Sequence, residues 1–240
     1  WLFGDTFVAN SEAHVRSESE MVRNSVAIQQ GSDPRSATIA FSWRKDADGS
    51  PASYFPENGK HWYWPGHAIR LAEGPLVIFL YVVTETPGKD LGFASTGYAI
   101  VVIDNPDSPA ANWQPRIVEA AASAFDAIPS TSVVRDGDYV VALAIRHNGA
   151  HAGALVRYPA ASLAKGDVSQ AEWWADDGRG WVPEARLGAG GPAFVMDDAG
   201  AESSLHWDSR TKSYIHVASY GFGASTIGIR TAKVLTGPWS

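Results

Sequence analysis

The 240-residue chain contains no cysteine and only two methionines. Disulfides, zinc–thiolate sites, iron–sulfur clusters and thiol nucleophiles are thereby excluded. Basic residues are also scarce: 19 Lys and Arg stand against 26 Asp and Glu, a formal charge of −7. That sign argues against nucleic acid or an anionic membrane surface as the main partner. Long apolar runs are missing too. The longest, Pro75 to Thr84 (PLVIFLYVVT), suits a buried strand and falls short of a membrane span. There is no Walker loop, dinucleotide glycine fingerprint or G-x-S-x-G elbow, and the glycine-rich Leu187-Gly-Ala-Gly-Gly-Pro opens no helix, so nucleotide chemistry is not expected. The chain starts at Trp1 with no charged-then-apolar leader, so its natural N-terminus is expected to be processed or to lie outside this segment. Export to a secreted or cell-surface location is an expectation on the same ground.

What is present is a large stock of rings and turn residues: 10 Trp, 8 Tyr and 9 Phe beside 23 Gly and 14 Pro. Short β-branched and aromatic runs bounded by Gly, Pro, Asn and Asp predict strands, while helical periodicity is nearly absent. The clearest strands are 1–6, 25–30, 38–43, 76–84, 98–103, 139–145, 154–158, 204–207, 214–219 and 227–232. Helix is confined to a turn or two within Val118–Ala127 and Pro159–Ala164. Two stretches look alike. Asp136-Gly-Asp-Tyr-Val-Val with Gly153-Ala-Leu-Val-Arg-Tyr resembles Thr211-Lys-Ser-Tyr-Ile-His with Ser225-Thr-Ile-Gly-Ile-Arg. Trp113, Trp174 and Trp239 then close successive stretches roughly 60 residues apart.

A repeat of that length with three or four strands per unit predicts an all-β fold, a single β-propeller domain over residues 1–240. The alternative is a β-sandwich with irregular spacing. The strands amount to about four blades, so a five-bladed ring would have an incomplete closing blade within this segment. The polar stretches Ala9–Val22 and Arg44–His61 are long for hairpin connections and suit a binding face.

The opening block Trp1-Leu-Phe-Gly-Asp-Thr-Phe puts Asp5 after a glycine at the end of an apolar run, where its carboxylate could stand at a strand mouth or simply cap a turn. In Met21-Val-Arg-Asn-Ser-Val-Ala-Ile, Arg23 and Asn24 precede a buried-looking strand, and Asn24 could bond a ligand hydroxyl or a neighbouring turn. Together with His61-Trp-Tyr-Trp-Pro-Gly and the ending Arg230-Thr-Ala-Lys-Val-Leu-Thr-Gly-Pro-Trp-Ser, these blocks resemble five-bladed propeller glycoside hydrolases of the arabinanase and furanosidase type. The resemblance is nearest to an actinobacterial group whose studied relatives cut D-arabinan. It covers both ends and the middle of the chain, and only the opening block is specific. It implies an active site in the funnel at the propeller axis, with Asp5 as the acid on the innermost strand of the first blade.

Glycoside hydrolysis needs two carboxyls, about 5 to 9.5 Å apart. The second candidate is Glu202 in Gly200-Ala-Glu-Ser-Ser, where the resemblance implies a catalytic Glu, although Ala201 stands where similar proteins carry Thr. Its bland reading is a strand-edge charge. Asp104, before Asn-Pro, reads first as a turn starter, and Glu184, after Pro183, is the alternative acid. With Arg23 and Asn24 beside it, Asp5 would be the ionised base or nucleophile, and Glu202, placed beside Trp207, the proton donor.

Trp43, Trp62, Tyr63, Trp64 and His67 form a second constellation. Indole faces stack on sugar C–H faces, although rings this close in sequence also pack between blades. Trp64-Pro-Gly-His is expected to be exposed, because Pro and Gly break a strand. Trp43 and Trp64 would then stack on the sugar, and Arg23, Asn24 and His67 would orient it or the acids. His147 and His151 read as a hairpin tip around Asn148-Gly149 and not as a metal pair. Asp197-Asp198 before Gly200 reads as a turn, with a structural Ca²⁺ contact as its alternative. The sequence thus points to a glycoside hydrolase acting as a monomer on a furanoside-containing polysaccharide, with no cofactor and no catalytic metal. The competing class is a non-catalytic propeller that binds glycan or protein on the same face.

Overall fold

Apolar runs without polar alternation are what a strand needs when both its faces are covered, and the centre of this chain is built from them. In the computed structural model, which describes residues 1–59, 61–72, 74–88, 91–120, 124–147, 149–221 and 225–240, the chain is all-β, with several antiparallel sheets, none closed on itself. β1 (Leu2–Phe3) runs through a kink at Gly4-Asp5 into β2 (Thr6–Val8), which pairs with β3 (Glu20–Val22). β4 (Ser25–Gln30) lies between β1 and β5 (Thr38–Ser42) to make the first sheet, and β6 (Arg44–Lys45) with β7 (Pro51–Ala52) forms a small hairpin. The second sheet holds β8 (His61–Arg70), β9 (Leu76–Glu85), β10 (Phe93–Ile103) and β11 (Arg116–Glu119), side by side in chain order.

The third sheet follows the same rule with β12 (Ala127–Asp136), β13 (Tyr139–Arg146), β14 (Gly153–Pro159), β15 (Glu172–Ala175) and β16 (Gly180–Pro183), and β17 (Phe194–Met196) also pairs with β14. β18 (Glu202–Asp208), β19 (Ser213–Tyr220) and β20 (Thr226–Ala232) make the fourth. The one α-helical turn among the described residues, α1 (Ala160–Leu163), falls inside the expected Pro159–Ala164. The other expected helix is corrected: Val118 and Glu119 belong to β11, Ala127 starts β12, and residues 121–123 lie outside the described residues.

The sheets stack face to face in chain order, and the two-residue period of each strand divides its side chains between neighbours. On β9, Ile78 and Leu80 pack with Val26 and Tyr63 toward the first sheet, whereas Val77 and Phe79 pack with Val140 and Tyr158 toward the third. On β13, Val140 and Ala142 face the second sheet, and Val141 and Leu143 meet Leu205 of the fourth. The two look-alike stretches are the hairpins β13–β14 and β19–β20 of successive sheets. Trp113 stands just before β11, Trp174 lies in β15, and Trp239 adjoins Ser240, which exchanges two backbone hydrogen bonds with Thr231 of β20. Each of these Trp residues therefore marks a fourth-strand position.

The leading strands of the four sheets are also neighbours: β1 meets β8, β8 meets β12, and β12 meets β18. Two of them were not expected, because Pro65-Gly66 and Pro129 look like strand breakers. Instead both strands continue through bulges, between Pro65 and Ala68 in β8 and between Ile128 and Ser132 in β12. The bulges nest. A Cβ on Gly66 would lie 1.9 Å from the Ser130 carbonyl oxygen, so no larger residue fits without moving backbone. Gly66→Ala is expected to cost roughly 3 kcal/mol or to prevent folding, whereas Gly97→Ala, whose Cβ meets nothing within 4 Å, should shift urea stability little.

His216 of β19 is fully buried, and neither ring nitrogen makes a well-formed hydrogen bond among the described residues, although the Ala199 backbone lies near enough to favour the protonated ring slightly. Burial first, and then the Arg230 guanidinium, push its pKa down to about 4. Because the folded value lies below the unfolded one, the unfolded chain binds the proton more readily. Stability from this group is therefore complete above about pH 6.5 and lost as pH falls toward about 4, by up to roughly 3 kcal/mol. Urea midpoints measured across that window should fall in the wild type and fall less in His216→Phe.

Candidate functional site

Asp5 stands in the kink between β1 and β2, and the kink is held by its neighbour: the Thr6 hydroxyl donates to the Gly4 carbonyl at 2.8 Å and lies 2.9 Å from Ser25 Oγ. The carboxylate is therefore not needed as a turn cap. Among the described residues no backbone amide donates to it. Instead, Trp64 Nε1–H donates to Asp5 Oδ1 at 2.9 Å, and Arg23 lies 3.8 Å from Oδ2. The Trp64 ring passes beside Gly4, 3.6 Å from where a Cβ would be, an ordinary contact distance. The Arg23 guanidinium also covers the Trp62 ring at 4.4 Å, and Trp62, Trp64 and Phe93 meet edge to face. With the Asp5 side chain 38% and the Arg23 side chain 31% exposed, this ion pair adds little to stability, so its effect is to aim the carboxylate.

Glu202 opens β18 and is exposed, with no hydrogen bond or ion pair among the described residues. Its charge reaches Tyr81 of β9, which sequence reasoning missed. The Tyr81 hydroxyl lies 2.7 Å from Thr131 Oγ1, and its ring meets His147 edge-on at 5.6 Å. Burial, with the Glu202 charge adding to it against the Thr131 bond, pushes the phenol up to about 12. Tyr81 sits directly across the ladder from Trp64. The ring that holds Asp5 and the ring that feels Glu202 are therefore adjacent.

His67 leaves the β8 bulge half buried, and its Nδ1 accepts the Val133 backbone N–H at 2.8 Å. The neutral ring consequently carries its proton on Nε2. Burial pushes the pKa of this imidazole down, which favours the same form. The expectation that Trp64-Pro-Gly-His is an exposed strand break is corrected, because the bulge keeps the ladder running through it.

Asn24 is not a ligand residue. It is fully buried, its Nδ2 donates to the Phe55 and Tyr63 carbonyls at 3.1 and 2.9 Å, and its Oδ1 accepts the Phe55 N–H at 2.6 Å. Every polar position of the amide is spent joining the β3–β4 junction to the second sheet. Trp43 follows β5, two strands from Asp5, and among the described residues no ring contact joins it to the Trp62–Trp64–Phe93 group. The pairing of Glu202 with Trp207 fails as well. Five residues along a strand put them about 16 Å apart on opposite faces, and Trp207 stacks on Tyr214 instead.

Of the competing acids, Asp104 ends β10, away from the leading strands, and Glu184 Oε1 accepts the Ala124 N–H at 3.0 Å. Asp198 Oδ1 accepts the Gly200 N–H at 2.9 Å in a turn, and among the described residues no three His, Asp or Glu side chains gather as a metal site would need. Asn148, at the expected hairpin tip, lies outside the described residues.

Taken together, these features define an all-β protein of stacked antiparallel sheets with acids displayed beside its leading strands. The family profile described as "Domain of unknown function (DUF5005)" matches residues 1–240, and the chain belongs to that family. No curated protein matches it. Among solved structures it is similar to the crystal structure of a "putative hydrolase" from Bacteroides ovatus, with 14% identity and a TM-score of 0.69. The match covers all of this chain and 64% of that one, and at such identity the likeness concerns the fold alone.

Asn24→Ala would strand buried carbonyls and an amide of the Phe55 and Tyr63 segments. The expected result is a loss of roughly 3 kcal/mol in urea unfolding, with no change in ligand affinity once the variant is folded.

Proposed function

We propose that the four stacked sheets are blades of a five-bladed propeller type and that the chain forms one such domain. In this reading β1, β8, β12 and β18 line the axis, and the protein is a glycoside hydrolase acting on a furanoside-containing, arabinan-like polysaccharide. The observation that carries the proposal is a chain of contacts linking the two acids: Trp64 donates to Asp5, its ladder neighbour Tyr81 lies 2.7 Å from Thr131 Oγ1, and the adjoining Ser132 donates to the carbonyl of Ser203, the residue after Glu202. Two acids from the first and last leading strands thus approach a common aromatic wall, and acid–base cleavage of a glycosidic bond needs such a pair.

The roles follow from the partners. Asp5, aimed by the Trp64 indole N–H and by Arg23, is the group that activates water or attacks the anomeric carbon. Glu202, whose exposed side chain has no hydrogen-bond or ion-pair partner among the described residues, is the second carboxyl of the pair, on the side of the leaving oxygen. Trp64 and Phe93 offer ring surface for the sugar, and the Nε2–H of His67 offers a neutral donor to a hydroxyl or ring oxygen. The chemistry calls on no organic cofactor. The proposed setting is a monomer outside the cell, where such polysaccharides occur.

The test is a screen of the wild-type chain against arabinans, arabinogalactans and aryl furanosides. Cleavage of at least one is expected, with Asp5→Asn and Glu202→Gln each lowering kcat by about 100-fold or more while folding normally. Binding of arabinan without turnover, equal in wild type and both variants, would replace the hydrolase with the glycan-binding alternative.

A further inference from the structure

Three consecutive hydroxyl residues on β12, Ser130, Thr131 and Ser132, are buried at 0%, 5% and 0% exposure. Buried hydroxyls are costly unless bonded, and each of these is bonded away from its own sheet. Ser130 Oγ donates to the Leu80 carbonyl at 3.2 Å, and Thr131 Oγ1 lies 2.7 Å from the Tyr81 hydroxyl, both on β9 of the second sheet. Ser132 turns the other way and donates to the Ser203 carbonyl of β18 at 2.9 Å, with Ser203 Oγ at 3.1 Å. Regular alternation would send Ser130 and Thr131 to opposite neighbours, and the β12 bulge lets both face β9 while Ser132 faces β18.

These contacts make a continuous path between the two acids. Asp5 is bonded to Trp64, Trp64 faces Tyr81 across the ladder, Tyr81 is bonded to Thr131, and Thr131 adjoins Ser132. Ser132 in turn grips Ser203, the residue after Glu202. Among the described residues no regular hydrogen-bonded ladder joins the second sheet to the fourth, so such side-chain bonds add direction to their packing. Apolar packing alone is non-directional and tolerates small slides.

We propose that Tyr81 is a positioning residue that registers Glu202 against Asp5, its phenol locking the second sheet to the Ser130–Thr131–Ser132 segment. The proposal rests on the hydrolase reading only for its kinetic consequence; the registration itself is a matter of geometry. The influence of the Glu202 charge on the Tyr81 phenol agrees with this closeness.

The experiment has two arms on the full chain. In the first, the protein is labelled with ¹³Cζ-tyrosine, and the Tyr81 signal, assigned by Tyr81→Phe, is followed from about pH 3 to about pH 7, the range in which carboxyls ionise. A titration step that Glu202→Gln abolishes is expected. In the second, Tyr81→Phe, which removes one hydroxyl and keeps the ring, should lower kcat on the furanoside substrate about 10-fold or more with KM within about threefold, and Thr131→Val should change it in the same direction. A purely packing role would leave kcat within about twofold in a variant with wild-type circular dichroism, and that result overturns the proposal. A Tyr81 signal indifferent to Glu202→Gln overturns it whether or not the protein hydrolyses anything. If the wild type turns over no furanoside but the titration step is present, the registration stands and the hydrolase reading alone fails.

Discussion

The close approach of β8 and β12 at Gly66 is the constraint on which the rest of the structure depends. With the Ser130 carbonyl 1.9 Å from the site of a Cβ, the two leading strands touch backbone to backbone, and the bulges on each are the means by which they nest. A bulge leaves ladder groups unpaired, and here the surroundings supply partners. His67 Nδ1 takes the Val133 N–H, and the Ser130 hydroxyl takes the Leu80 carbonyl. Several polar atoms near the junction of the second and third sheets are therefore bonded as a consequence of the contact, and the side chains they belong to acquire fixed directions.

Those directions matter because the acids themselves are loosely held. Asp5 has one good hydrogen bond and one long ion pair, and Glu202 has neither among the described residues. What direction they have comes from the frame of neighbours around them. The Trp64 indole, the Arg23 guanidinium lying on Trp62, and the Tyr81–Thr131 bond supply that frame. Arg23 shows how a weak interaction becomes useful: at 3.8 Å and a third exposed it hardly stabilises the fold, yet stacking on the indole limits where its charge can go.

Much of the fold was legible in the chain. β9 and β13 carry runs of Val, Ile, Leu and Tyr because both-face burial selects such residues whatever the neighbours are, and their strands fall where those runs predict, as do those of β4, β19 and β20. β8 and β12 were illegible for a definite reason. Pro65-Gly66 and Pro129 signal a break in local propensity, and only the presence of the other strand turns the break into a bulge. Asn24 misled in the opposite sense, since an amide beside an arginine looks the same in sequence whether it awaits a sugar or clamps two backbones. Asp5 drew notice through its block of neighbours, whereas Tyr81 and the three hydroxyls lay inside an apolar run and a short polar one that gave no sign of their mutual bonds.

The chain by itself determined the class of structure: no thiol chemistry, no long helix, short strands in repeated units, and an acid behind a glycine at the first strand. These are matters of composition and local propensity, which act over a few residues and do not depend on what lies opposite. Which of the many polar side chains would face one another was decided only when the sheets stacked. Contacts such as Asp5 with Trp64, Tyr81 with Thr131 and Ser132 with Ser203 join residues 50 to 71 positions apart, and nothing local encodes them. Their geometry is set by the summed packing of the sheets between them, because hydrogen bonds act over about 3 Å and require that packing to bring the atoms within reach.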